Sequence, residues 1–319
     1  MNNLTIEQME GKVKTKKKKL SAFQKMKRSY QLYLLILPTF IYFIIFKYVP
    51  MYGVLMAFKD FVPSKGIMGS PWVGLKHFER FFNSFQFEAL IKNTVGLSVY
   101  QLIITFPIPI IIALMLNQLA KEKVKKFIQT TIYAPYFIST VVLVGMMQIF
   151  LSPSSGFINN IIQAFGGEPI YFFASPKWFR PLYILSSVWQ GTGWATVIYI
   201  AALSGVDPQL HEAAIVDGAS KFKRILTVDV PAIMPVIVIQ LILSLGNVMN
   251  VGFEKAYLMQ TDLNLDTSEI IGTYIYKVGL QQSQYSFSTA VNLFLAVINV
   301  ILLVSVNKIV KKFSESSLW

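Results

Sequence analysis

Six apolar runs, each about as long as a bilayer-crossing helix, constrain this chain more than any other feature. They are Leu32–Met56, Thr94–Leu116, Ile128–Phe150, Leu182–Leu203, Ala232–Val251 and Ala290–Val310. A hydrocarbon core of ~30 Å takes about 20 helical residues to cross. In lipid every backbone amide must find its partner within its own segment, so such runs become helices and six of them a bundle. Lys47, Pro50 and Gly53 interrupt the first run, which predicts a bend or an exit from the bilayer in its upper half. Only 14% of residues are charged and 54% are hydrophobic, whereas ordinary soluble domains carry about a quarter charged residues. The expected fold class is therefore all-α: a polytopic membrane protein with six transmembrane helices.

Basic residues set the expected orientation. Of the 29 Lys and Arg, nine lie in the amino-terminal tail, four follow the second run, three lie between the fourth and fifth runs, and three are carboxyl-terminal. The other ten fall on or near the opposite face, while the 16 acidic residues divide evenly. Topology follows Lys and Arg rather than net charge, so both termini and the 207–231 segment are expected in the cytoplasm. The net charge of +13 then reflects topology and calls for no nucleic-acid partner. Residues 1–30 read as a basic cytoplasmic tail meeting anionic lipid. Its basic region is too long for a signal peptide and no small-x-small site follows the apolar run, so retention in the mature protein is expected. Residues 31–319 form the transmembrane domain.

Several chemistries are excluded early. The chain has no cysteine and only two histidines, His77 and His211, placed on opposite sides by this topology. No H-E-x-x-H, G-x-S-x-G or G-x-x-x-x-G-K-[ST] pattern occurs, so neither catalysis nor ATP hydrolysis by the usual phosphate-cradling loop is expected. No metal site is expected. Energy for any transport must come from a partner or from an ion gradient.

The polar island 207–231, DPQLHEAAIVDGASKFKRILTVDVP, stands out between apolar runs. Asp207 followed by Pro208 reads as an N-cap with proline at the first helical position. Leu210, Ala213, Ala214, Val216 and Asp217 continue a short helix, and Gly218 supplies the turn. Ser220 can cap a second helix, basic at Lys221, Lys223 and Arg224 and running to Pro231. The two helices would form an elbow along the membrane surface. One reading is a connector; the other is a helix presented to a groove of a cytoplasmic partner.

The residues Glu212-Ala213-Ala214, then Gly218, then Val228, Val230 and Pro231 resemble the E-A-A signature of permease subunits of binding-protein-dependent ABC importers. The stretches Pro50–Phe61, Ser70–Phe82, Gly246–Met259 and Gln284–Phe294, with the closing Leu318–Trp319, are similar to the lipoprotein-dependent polysaccharide and complex-oligosaccharide permeases of Gram-positive bacteria. This resemblance covers roughly residues 30 to 319. It implies a type I ABC importer transmembrane domain with a maltose-permease-like fold, in which 207–231 is a cytoplasmic coupling-helix elbow. It implies a second homologous permease as heterodimer partner, two ATPase subunits carrying ATP and Mg, an extracellular solute-binding lipoprotein and a carbohydrate cargo. In that role Ala213 and Ala214 would allow close approach to the ATPase, while Glu212 and Asp217 offer charged hydrogen bonds. Gly218 would hold the elbow.

Polar residues within apolar spans are costly and usually face a bundle interior or a wet cavity. Trp189, Gln190 and Trp194 in the fourth run, Asn247, Asn250 and Glu254 around the end of the fifth, and Asn292 in the sixth are candidates for the substrate path. Aromatic rings cover the apolar face of a pyranose, and amides both donate to and accept from its hydroxyls. Asn and Gln also pair helices, and Trp sits in interface belts, so each has a purely structural alternative.

Between runs, Phe78, Phe81, Phe82 and Phe85 recur at helical spacing and predict a stripe lying on the membrane or packing on the spans. The segment 152–180 reads as a loop with a short amphipathic helix at Phe157–Phe165. The resemblance makes both loops part of a docking face for the solute-binding protein. Rival readings are an ion-coupled secondary transporter, an importer for a non-sugar solute, and a membrane scaffold using the elbow for another partner. Glu254 is nearly the only candidate ion-coupling acid.

Overall fold

A computed structural model describes residues 29–313. The basic tail expected over residues 1–30 falls almost wholly outside the described residues, as do Leu318 and Trp319. The chain divides after Gly53 into two compact units.

In the first unit, α1 (Tyr30–Phe43) buries none of its side chains, and Leu35 is 78% exposed. A helix apolar on every side has no aqueous face, which suits lipid. A π-turn at Ile44–Tyr48 precedes Pro50, whose missing N–H breaks the regular ladder. The interruptions at Lys47, Pro50 and Gly53 change the helix type, to π at Ile44–Tyr48 and to 3-10 over Tyr52–Phe58, but Tyr30–Phe58 remains one 29-residue apolar helical stretch, so the expected bend does not form.

Among the described residues of the second unit the regular elements are all helices, joined by turns and loops, apart from one isolated bridge, Lys59 to Trp72. A short helix, α2 (Lys76–Phe82), precedes α3 (Phe87–Thr105) and α4 (Pro107–Asn117), which run on as one span broken only at Pro107. The phenylalanine stripe divides: Phe81 is fully buried against Phe87, Phe287 and Phe294, Phe78 packs on Phe58, and Phe85 is wholly exposed. Beside α2, a hydrogen bond from Lys76 holds the Asp60 carboxyl below the usual range.

The third apolar run is not one straight helix. The helix α5 (Glu122–Tyr133) ends in a 3-10 turn at Ala134–Phe137, and α6 (Thr140–Phe150) leaves at 96°. Pro135 cannot donate within the ladder, and the Ser139 hydroxyl accepts from Val142 N to start a new helix. The expected span 128–150 is thus a bent pair. The expected amphipathic helix forms as α7 (Phe157–Ala164), held by Asn159, whose amide bonds Leu151, Ser152 and Ile170.

The helix α8 (Pro176–Ser204) is 29 residues long and packs along α4. The elbow helix α9 (Pro208–Val216) follows. Its expected second arm is a single turn, α10 (Lys221–Arg224), that passes through a π-turn at Ile225–Asp229 into α11 (Val230–Gly246). Residues 221–246 therefore run as one 26-residue helix, and Pro231 does not restart the chain. The wider π-turn accommodates the proline that a regular helix would reject. Two short helices, α12 (Phe253–Leu258) and α13 (Ile271–Tyr276), lead to α14 (Tyr285–Phe313), which packs on α11.

Among the described residues, four helices are long and apolar enough to cross a membrane, and a fifth crossing is counted if the bent α5–α6 pair is one span. The remaining expected span corresponds to α8, which carries Trp189, Gln190, Thr192 and Trp194 along its length. Three apolar clusters hold the unit together, centred on Phe81 and Phe287, on Tyr183 and Phe179, and on Tyr199 and Ile233.

Candidate functional site: a polar cavity and a capped elbow

The elbow is built by local rules. The Asp207 carboxylate accepts from Gln209 N at 2.9 Å, with Pro208 at the first helical position. At the far end Gly218 has φ +72°, where a Cβ is disfavoured. Gly218 N donates to Ile215 O and Ala219 N to Ala214 O, the paired bonds of a Schellman ending. The Ser220 hydroxyl then accepts from Lys223 N. Glu212, Ala213, Asp217 and Gly218 are exposed and Ala214 is half-buried. Val216 is 87% and Phe222 70% exposed, so this elbow presents apolar side chains beside carboxylates.

The elbow is fastened to the bundle by a residue that sequence reasoning missed. Asp229 has no exposed surface, and its carboxylate lies 3.2 Å from His211 Nε2. It also accepts from Gln118 Nε2 at 2.9 Å. A buried carboxylate is costly unless paired, so these contacts tie α9, the end of α4 and the start of α11 into one joint.

Between α3, α4, α8 and α11 lies a cavity of about 750 Å³. Trp194, Asn247 and Asn250 line it, together with Ser98, Gln101, Ser187, Thr192, Gln240 and Ser244. Asn250 Nδ2 lies 3.4 Å from Asn247 Oδ1, leaving both amides with unused hydrogen-bonding capacity. The Trp194 ring stacks on Tyr136 at 4.8 Å between centroids. The cavity thus combines aromatic surface with convergent amides and hydroxyls.

Trp189, Gln190, Glu254 and Asn292 are not among its lining residues. Gln190 Nε2 instead donates to Ile138 O at 2.8 Å, satisfying a carbonyl freed by the bend between α5 and α6. At Gly193 the same helix comes so close to the Ile132 carbonyl that a Cβ would collide with it. The hydroxyl-bearing lining residues look, in sequence, like ordinary small helix-packing residues. Only the helix arrangement reveals their common wall.

A second cavity, of about 770 Å³, lies where the loop after α2 meets the start of α8. Charged residues Glu88, Lys92, Lys177, Arg180, Asp266 and Glu269 line it. Arg180 donates to Asn93 Oδ1, and Asn93 in turn donates to the carbonyls of Asp266 and Glu269.

A multi-pass helical bundle with an internal polar cavity and an exposed capped elbow is the architecture of a membrane transport component. The chain belongs to the binding-protein-dependent transport system inner membrane component family, whose model matches residues 105–315. It is 46% identical to the polygalacturonan/rhamnogalacturonan transport system permease protein YteP of Bacillus subtilis (strain 168), over 96% of this chain and 95% of the relative. It is 43% identical to Protein LplB of the same organism, over 96% of each. Among solved structures it matches a bacterial alginate ABC transporter in complex with an alginate pentasaccharide-bound periplasmic protein. That match has a TM-score of 0.86 and 38% identity, covering 93% of this chain and 99% of that one.

Proposed function

We propose that the chain is one permease half of an ATP-driven importer that moves oligosaccharides or polysaccharide fragments delivered by an extracellular solute-binding lipoprotein. The observation that carries this reading is the amide- and aromatic-lined cavity at Trp194, Asn247 and Asn250. Such a wall can cover a sugar ring and bond its hydroxyls at once. The polygalacturonan/rhamnogalacturonan and alginate transport for which these relatives are named agrees with it.

In this reading ATP and Mg sit on two separate ATPase subunits, and a second, homologous permease completes the path. Glu212, Ala213, Ala214, Asp217 and Gly218 form the ATPase contact, and the Asp229 joint carries its motion into α4 and α11. Closure of the ATPase pair then moves the helices as rigid bodies between two states. The charged cavity around Arg180 and Lys92 is the docking place for the solute-binding protein. Both termini and the elbow lie in the cytoplasm, with residues 1–30 forming the basic tail and 31–319 the transmembrane domain.

The test is uptake of labelled oligosaccharides by cells carrying the complete importer, with and without the ATPase subunits. ATPase-dependent uptake is expected. Uptake driven by an ion gradient in their absence would overturn the assignment.

A further inference from the structure

Lys255, on α12, is 6% exposed, yet no ion pair joins it to any carboxylate among the described residues. Its ammonium donates to Ser187 Oγ at 2.9 Å and lies 5.0 Å from the centroid of the Tyr183 ring. Its neighbour Glu254 points no carboxylate at it and is exposed. A hydroxyl and a ring face compensate an ammonium only in part, so this cation is buried without a full counter-charge. Ser187 is itself a wall residue of the cavity that holds Asn247, Asn250 and Trp194. The uncompensated charge therefore stands one side chain behind that wall. The Ser187 hydroxyl spends its own proton on the Tyr183 carbonyl at 2.8 Å. What reaches the cavity is the field of the ammonium, acting across the single Ser187 side chain that separates it from the lining.

We propose that Lys255 makes the cavity selective for carboxylate-bearing sugars, the uronate class, over neutral sugars of the same size. A carboxylate beside Ser187 supplies the missing counter-charge, whereas a neutral sugar leaves the ammonium uncompensated. Lys255 acts through the wall as a specificity-determining residue rather than as a direct ligand. The inference rests on the carbohydrate reading above and narrows it.

The test uses the complete importer complex in lipid nanodiscs and measures binding calorimetrically. The probes are trimers of galacturonate and of mannuronate, each beside its methyl ester, and a neutral galactose trimer. Esterification removes the charge and keeps the ring, so wild-type protein alone reveals any charge selectivity. At least one acid should bind about tenfold or more tighter than its ester. Lys255→Met should erase that ratio and Lys255→Arg should retain it, with assembly of the complex unchanged for Lys255→Arg. Equal binding of acid, ester and neutral trimer would overturn the charge selectivity and leave the carbohydrate reading standing. An acid-to-ester ratio that survives Lys255→Met would overturn the role of this residue. Failure of every sugar to bind, with uptake of a non-sugar solute, would overturn both readings together.

Discussion

His211 Nε2 lies 3.2 Å from Asp229 Oδ1, joining the exposed elbow helix to the first turns of a membrane-crossing one. The carboxylate is fully buried and its second oxygen accepts from Gln118, so three elements meet at one side chain. The elbow moves α4 and α11 only if this joint transmits force. Asp229→Ala leaves the half-buried donors of His211 and Gln118 without their acceptor, a loss of about 1–3 kcal/mol. The thermal midpoint of the purified complex should fall, and ATP hydrolysis should continue with uptake reduced. His211→Gln, which can still donate, should keep most of both. Normal coupling in an assembled Asp229→Ala complex would show that the joint is not the transmission point.

At Gly218 nothing lies within 4 Å of where a Cβ would stand, so any cost of substitution there is conformational and not steric. A non-glycine residue at φ +72° costs about 1–2 kcal/mol. Gly218→Val should therefore loosen the elbow and weaken uptake, and Gly218→Asn, which tolerates this region better, should be nearly silent. The pair is read by uptake rate at equal membrane expression. Equal activity of both variants would remove the elbow's geometry from the mechanism.

Glu212 is exposed and makes no contact that the fold needs, which separates its role from that of Asp229. Glu212→Ala should leave the melting temperature of the permease unchanged. Co-purification of the ATPase subunits should drop about tenfold or more, the worth of one charged hydrogen bond at an interface. A loss of thermal stability with intact co-purification would invert the assignment.

Legibility from sequence followed the range of the interaction. The Asp207 cap, the Gly218 ending and the Ser220 cap are contacts within a few residues, and their residue types announce them. Pro135 and the Ser139 cap mark the bend locally, but overall apolar length dominates the reading of residues 128–150 as one span, and lipid burial does not require a straight helix. Pro231 misled in the opposite direction, since a π-turn ahead of it keeps the helix going. The Asp229–Gln118 bond joins positions 111 apart, and no local pattern marks it. Lys255 sits inside a family-like stretch, but its burial depends on Tyr183 and Ser187 from another helix.

The sharpest case is a pair of amides that look alike in sequence. Gln190 and Asn250 both interrupt apolar surroundings, and both qualify as polar groups facing a cavity. The fold separates them: Gln190 donates to the Ile138 carbonyl at a helix bend, and Asn250 faces open space beside Asn247. Gln190→Leu leaves that carbonyl unsatisfied and should cost about 1–3 kcal/mol of stability, with the KM for sugar unchanged in whatever protein remains folded. Asn250→Ala removes no bond the fold requires, since its 3.4 Å contact to Asn247 is long and exposed. Its melting temperature should stay at the wild-type value while the KM of uptake rises about fivefold to tenfold, the worth of one neutral hydrogen bond to a ligand. Measuring both quantities on both variants gives a crossed pattern if the cavity is the sugar path. If Asn250→Ala is silent in uptake and Gln190→Leu raises KM without destabilising, the path runs on the other side of α8.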